Sequence, residues 1–164
     1  MPLLSELLEP VSSQVSATSA TPLTPLLIAT PICAKCVGND VFFENNEPIV
    51  VEPKDLHHVT DRRYNLSIVV IDDSYTHWDT IIGTAKNLLS DRVVILIQHV
   101  LAESQPQPDT NTLRALGFVI EKDIHIDTTR FRCASYNLAI YNRKRDWNNS
   151  RFWANPENFD KHRW

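Results

Sequence analysis

The sequence predicts one α/β domain with a mostly parallel sheet that helices cover on both faces. Residues 66–71 and 92–97 are nearly continuous aliphatic and β-branched runs, which is typical of strands buried on both faces. A strand, a helix and a second strand joined by short turns form a βαβ unit, so we expect the two strands to be parallel. Apolar residues between them recur at helical spacing, at Trp78, Ile81, Ile82, Ala85, Leu88 and Leu89.

Length and composition limit the class of protein. The chain has 164 residues, 43% of them hydrophobic, and a net charge of −4, which is ordinary for one globular domain. No segment approaches the roughly 18 apolar residues of a membrane-spanning helix. Three cysteines without a recognisable secretion signal favour a reducing compartment. We therefore expect a cytoplasmic protein that does not contact a membrane.

Shorter segments precede the βαβ unit. Residues 32–37 predict a strand closed by Gly38, and Asp40 is placed to cap a short helix after it. Residues 26–29 fit either a strand or the end of a helix. Residues 49–52 are β-branched and lie between two prolines, which predicts a strand of about four residues.

The C-terminal half completes the sheet. A short helix is expected to end at Gly117, since glycine is the usual residue just beyond a helix C-terminus. Residues 118–126 and 131–141 flank a polar turn, and they predict an antiparallel hairpin at one edge of the sheet. The domain itself is expected to span residues 26–141, after an N-terminal helix and linker over 1–25.

The tail, residues 142–164, combines basic and aromatic side chains. It holds three of the four tryptophans of the chain. Such aromatics are typical of anchors that pack on the domain's own sheet or on a partner, so a homodimer is one arrangement that we consider. The basic residues also suit weak binding to RNA phosphates, through Arg143, Lys144, Arg145 and Arg151.

The order of elements resembles the second half of a class I S-adenosylmethionine-dependent methyltransferase, preceded by a shortened first half. Leu116-Gly117-Phe118 matches the step that leads into the final hairpin of that family. The resemblance implies a Rossmann-like three-layer sandwich, reduced in size. The tail is similar to the C-terminal signature of a bacterial, methyltransferase-like family of unknown function, at Asp146-Trp147, Arg151, Trp153-Ala154-Asn155-Pro156 and Arg163-Trp164.

The resemblance also implies a cofactor crevice at the carboxyl ends of the strands, where open α/β sheets place their ligands. Glu52 ends a predicted strand at the place where an acidic residue of the family accepts bonds from ribose hydroxyls. The other cofactor-binding candidates are Gly38, Asn39 and Asp40 in the loop after the first strand, and Asp72 and Asp73 near the substrate and methionyl group.

Two departures from the family pattern decide the functional prediction. The family loop has two or three glycines that let the backbone approach the ligand, whereas only Gly38 is present here. The family's third strand has no counterpart in residues 53–65. We therefore predict a binding or interaction module that is not an enzyme and holds no cofactor. The alternative is an active S-adenosylmethionine-dependent methyltransferase with a degenerate loop, and neither prediction assigns a catalytic residue.

The cysteines and histidines offer no complete site. Cys33 and Cys36 form a lone CxxC, and in a strand their side chains would point to opposite faces, so no metal or redox role is predicted. Other possible metal ligands or bases are His57 and His58, expected to be exposed, and His77 and His99, which follow the two buried strands. For this second pair we favour ordinary loop and helix positions over a general base.

Overall fold

A computed structural model describes residues 4, 5, 8, 24–74, 77–99, 108–126 and 128–141. Within these residues, seven strands form one sheet, which is the middle layer of the domain. The strands are β1 (Leu26–Ile28), β2 (Ile49–Val51), β3 (Ser67–Ile71), β4 (Arg92–Gln98), β5 (Val119–Ile120), β6 (Ile124–Ile126) and β7 (Thr129–Asn137).

The strand order is β2-β1-β3-β4-β7-β5, and β6 also pairs with β7. β1 is parallel to β2 and to β3, and β3 is parallel to β4 from Ser67 opposite Val93 to Ile71 opposite Ile97. β7 is antiparallel to β4, β5 and β6. The mostly parallel sheet and the central βαβ unit are therefore confirmed.

Helices lie on both faces of the sheet. They are α1 (Pro31–Gly38), α2 (Val41–Asn45), a 3-10 helix (Pro53–Val59), α3 (Trp78–Thr84) with a π-helical turn (Ala85–Leu89), α4 (Thr110–Ala115) and α5 (Leu138–Tyr141). Among these, none has the length and hydropathy of a membrane-spanning segment in the described part of the chain.

Two apolar clusters hold the layers together. Alternate residues of a strand point to opposite faces, so Val69 faces one cluster and Ile68 the other. The first cluster joins the sheet to the 3-10 helix, α3 and α4. The second joins it to α1, α2 and the helical residues Leu4 and Leu8, which are fully buried. This arrangement is the predicted three-layer sandwich.

The first strand does not lie where the sequence predicted it. Residues 32–37 belong to α1, and the strand is Leu26–Ile28. Thr30 caps the helix and Pro31 occupies its first turn, a strong helix-start signal. Cys33 and Val37, four residues apart, bury one face of the helix. The predicted strand over 32–37 is therefore wrong, and so is the argument that the two CxxC side chains point to opposite faces.

The central helix also departs from the predicted pattern. Its apolar face includes Ile82 and Leu89, as expected, but Leu88 is 56% exposed. The π-helical turn has i to i+5 bonds, such as Ser90 N–H to the Ala85 carbonyl, so it holds more residues per turn. The extra residue rotates Leu88 away from the sheet and brings Leu89 into the core.

The remaining elements agree with the sequence, except that residues 138–141, predicted as the end of a hairpin arm, form α5. Asp40 caps α2 and Asp109 caps α4, each by accepting a backbone N–H bond. Residues 52–66, all of them described, contain the 3-10 helix and no strand, so β2 is the edge strand among the described ones. The predicted hairpin is present, but its first arm is divided into β5 and β6 and its second arm ends at Asn137.

Gly117 ends α4 with a φ of 88°, a conformation that strains residues with a Cβ. We expect Gly117→Ala to lower the free energy of unfolding by about 1–2 kcal/mol, measured by urea denaturation. Gly83→Ala is the control, because Gly83 lies in α3 and an added Cβ would meet no atom within 4 Å. The control should be neutral or stabilise by up to about 1 kcal/mol, and equal losses in both variants would contradict the prediction.

Candidate functional site

The carboxyl ends of β1, β3 and β4 lie at one edge of the sheet, and α1 begins there. The connection after β1 leads to β2 on one side, whereas β3 leads to β4 on the other, so the strand order reverses between β1 and β3. Such a topological switch point is the usual ligand site of an open α/β sheet. We call the four polar side chains found here the switch-point cluster: Thr30, Cys33, Asp72 and Gln98.

Asp72 is the centre of the switch-point cluster. Its Oδ2 accepts a hydrogen bond from Thr30 Oγ1 at 2.7 Å and one from Cys33 Sγ at 3.3 Å. Its Oδ1 accepts bonds from the Ser74 backbone N–H, at 2.9 Å, and from the Ser74 hydroxyl. One carboxylate therefore ties the loop after β3 to the end of β1 and to the first turn of α1.

The cluster also uses the N-terminus of α1. Thr30 Oγ1 accepts a 3.4 Å hydrogen bond from the Cys33 backbone N–H and donates its own proton to Asp72. Cys33 Sγ makes a longer, 3.9 Å contact to Gln98 Oε1 of β4. The Asp72 charge is favourable beside the positive end of the helix.

Burial and hydrogen bonding set the protonation states. Burial alone would raise the pKa of Asp72, but the hydrogen bonds from Ser74, Thr30 and Cys33 outweigh it and lower that pKa below its ordinary value. Burial raises the pKa of the Cys33 thiol to about 11. At neutral pH the cluster therefore holds a carboxylate beside a protonated thiol.

A comparison with known protein families identifies the family of this chain. A model described as a family of unknown function, DUF6231, matches residues 6–164. The chain belongs to this family. No curated protein matches it.

Solved structures with a similar fold are methyltransferases. The human methyltransferase 10 domain containing protein is 10% identical, with 84% of this chain and 83% of that chain covered and a TM-score of 0.46. The N-terminal domain of human METTL16 in complex with SAH is 9% identical, with 84% of this chain and 71% of that chain covered and a TM-score of 0.44. A ribosomal protein L11 methylase from Lactobacillus delbrueckii subsp. bulgaricus is 10% identical, with 80% of this chain and 79% of that chain covered and a TM-score of 0.39. The DUF6231 chain is similar to these methyltransferases in fold alone.

Three predicted residues of the DUF6231 chain lie away from the switch point. Gly38 is the last residue of α1, and Asn39 and Asp40 follow this helix, whose eight residues span about 12 Å. Placing them in the loop after the first strand is therefore wrong, because that loop is Ala29 and Thr30. A Cβ at Gly38 would meet no heavy atom within 4 Å, so nothing there requires a glycine. Asp40 is buried and its Oδ1 accepts the Phe42 N–H, which is a structural role.

The other three predicted residues lie at the carboxyl edge. Glu52 follows β2, and its side chain is 37% exposed and forms an ion pair with Lys54 at 2.8 Å. Asp72 and Asp73 follow β3, but only Asp72 belongs to the switch-point cluster, and Asp73 is exposed. Cofactor binding by any of these residues stays a prediction.

Sequence reasoning missed Thr30, Cys33 and Gln98. The first two belong to a helix start, and the Thr-Pro pair followed by apolar residues at helical spacing was the signal that could have located it. Gln98 is the last residue of β4, one residue beyond the apolar run that predicted this strand. No sequence signal shows that its side chain reaches Cys33.

The four histidines considered as ligands or bases occupy exposed positions. His57 and His58 are exposed on the 3-10 helix, as predicted. His77 is exposed at the start of α3 and makes no capping bond. His99 Nε2 lies 3.6 Å from Asp123 Oδ2, which also accepts two bonds from Arg130.

Within the ranges that the structure describes, no three His, Cys, Asp or Glu side chains are arranged to hold a metal ion. The tail lies outside those ranges. RNA binding through Arg143, Lys144, Arg145 and Arg151, and a homodimer formed through the tail, both stay predictions.

Proposed function

We propose that this DUF6231 domain is a methyltransferase-like binding or interaction module that transfers no methyl group. The observation that carries the proposal is Asp72, whose carboxylate accepts bonds from Thr30, Cys33 and Ser74 at the switch point. The domain's own side chains thus occupy the place where a fold of this kind receives a ligand.

The start of α1 supports the proposal. Anionic ligands bind helix N-termini through free backbone N–H groups. Here Pro31 has no N–H, and the Cys33 N–H is already bonded to Thr30. The loop before the helix has no glycine that would allow a ligand to approach the backbone closely. The negative charge of Asp72 beside this loop would also repel a carboxylate or phosphate.

An active methyltransferase is the second candidate, and Glu52 is the observation that favours it. The Glu52 carboxylate lies at the carboxyl end of β2, next to β1, and its only described ion pair is with Lys54 at the surface. A carboxylate in this position suits two hydrogen bonds to the vicinal hydroxyls of a ribose. METTL16, which has a similar fold, is known in complex with SAH.

Calorimetric titration with S-adenosylmethionine and S-adenosylhomocysteine separates the two candidates. We expect neither ligand to release heat or to raise the melting temperature at micromolar concentrations. Micromolar binding that Glu52→Ala abolishes and Glu47→Ala preserves would instead argue strongly for the methyltransferase candidate, which also requires methyl transfer to an acceptor. Glu47 is the matched control because it is an exposed glutamate shortly before β2.

A further inference from the structure

Cys33 and Cys36 lie three residues apart in α1, so both side chains are on the same side of the helix. Cys33 is 5% exposed and contacts Asp72. Cys36 is half-buried at the margin of the same apolar cluster. The pair therefore consists of one thiol that solvent reaches and one that the protein shields.

We propose that Cys33 and Cys36 form a reversible disulfide by exchange with an external disulfide of the glutathione or protein type. Cys36 is the attacking residue because it is the accessible one. Cys33 is the resolving residue because it is held beside Cys36 and shielded from external reagents. This inference is independent of whether the domain binds S-adenosylmethionine.

The exchange has two steps. The Cys36 thiolate attacks one sulfur of the external disulfide, whose S–S bond breaks, and the released thiolate takes up the proton that Cys36 lost. Cys33 Sγ then attacks Cys36 Sγ, the mixed disulfide breaks, and the second external thiol leaves with the proton of Cys33. The external disulfide is reduced to two thiols, while the two protein thiols are oxidised to one disulfide.

Asp72 has a defined part in the second step. Because burial raises the pKa of Cys33 to about 11, this thiol remains protonated at neutral pH and must lose its proton as it attacks. The thiol proton points to Asp72 Oδ2, 3.3 Å from the sulfur. The carboxylate therefore provides the path by which the proton leaves Cys33.

Helix geometry makes the disulfide easy to reduce again. Residues three apart in a helix have Cβ atoms about 5–6 Å apart, whereas a disulfide requires roughly 3.5–4.5 Å. The first turns of α1 must therefore tighten on oxidation, and this strain favours the dithiol. Oxidation also removes the Cys33 S–H donor from Asp72, so the redox state acts directly on the switch-point cluster.

Tryptic digestion gives a sharp test, because Lys35 lies between the two cysteines. The full chain is equilibrated in oxidised or reduced glutathione, free thiols are blocked in denaturant, and the protein is digested. Cleavage after Lys35 and Lys54 yields peptides 1–35 and 36–54. After oxidation we expect the two peptides to be joined, with a mass two hydrogen atoms below the sum of the separate peptides. After reduction we expect them to be separate. Cys133, buried on β7, should remain free in both samples.

Single variants test the assigned roles. In Cys33→Ser, the accessible Cys36 should accumulate as a mixed disulfide with glutathione, because the resolving thiol is missing. In Cys36→Ser, the buried Cys33 should stay unmodified. Separate peptides in the oxidised wild-type protein would overturn the proposal without any variant, and glutathione on Cys33 in Cys36→Ser at the same rate would overturn the assigned order.

Discussion

Phe131→Ala is expected to lower the free energy of unfolding by about 3–5 kcal/mol. Phe131 is 1% exposed and is among the largest fully buried side chains. It lies on β7 opposite Gln98 of β4 on one side and Ile124 of β6 on the other. Truncation would leave a cavity where the antiparallel hairpin joins the parallel strands, and the strand backbones on both sides limit collapse into it.

Chemical denaturation of the wild type and the variant measures this loss, and the melting temperature should fall by roughly 6–20 °C. Val119→Ala is the matched control, since Val119 belongs to the same hairpin but is 62% exposed. Its effect should stay within about 0.5 kcal/mol. A loss below about 1 kcal/mol for Phe131→Ala would mean that the hairpin does not form part of the core.

The part of the fold that the sequence predicted best is its centre. β3 and β4 are five and seven residues long, and nearly all of their side chains are buried, so their composition alone distinguishes them from helices. The helix between them keeps its apolar face through one π-helical turn, with Ile82 and Leu89 both buried. In these elements local preference and burial agree, which is why both the strands and their parallel pairing could be predicted.

The first strand has a weaker sequence signal, because β1 has only three residues. Its neighbour in the sequence, residues 31–38, contains β-branched residues that favour strands, yet forms a helix. The Thr30 cap and the fixed φ of Pro31 start that helix, and burial of Cys33 and Val37 on one face stabilises it. Tertiary packing here prevails over strand propensity. Because the helix was predicted as the first strand, the loop expected after that strand was placed at the C-terminal end of α1 instead of its N-terminal end.

The candidate site was predictable only where it depended on strand ends. Glu52 and Asp72 follow segments whose assignment was correct, so both were placed at the proper edge of the sheet. The contacts of Asp72 with Thr30 and Cys33 depend on the start of α1, which was assigned wrongly. Consequently the sequence placed Asp72 at this edge without showing that other side chains already bind it.

Asp72→Asn is expected to destabilise the domain by about 2 kcal/mol at pH 7, because hydrogen bonds to a charged acceptor contribute about 1.5–3 kcal/mol and Asp72 is only half-buried. The amide is the same shape but has one acceptor oxygen. Its NH₂ group would face one pair of donors, either Thr30 and Cys33 or the two groups of Ser74. The melting temperature should fall by roughly 4–8 °C.

The effect should depend on pH in a defined direction. The pKa of Asp72 is lower in the folded protein than its ordinary value of 3.8, so ionisation of this group favours the folded state. The contribution is complete above the unfolded pKa, near pH 4, and disappears as the pH falls through the lower folded value. The difference in unfolding free energy between wild type and Asp72→Asn should therefore be constant from about pH 5 to 7 and shrink below pH 4.

Asp73→Asn provides the control, because Asp73 is the adjacent, exposed carboxylate and the substitution makes the same change in charge. It should alter stability at pH 7 by less than about 0.5 kcal/mol. If the two variants behave alike, general charge and not the switch-point cluster determines the result. An Asp72→Asn protein as stable as the wild type at pH 7 would mean that the hydrogen bonds of Asp72 do not hold the switch-point cluster together. The main support for a non-catalytic module would then be lost.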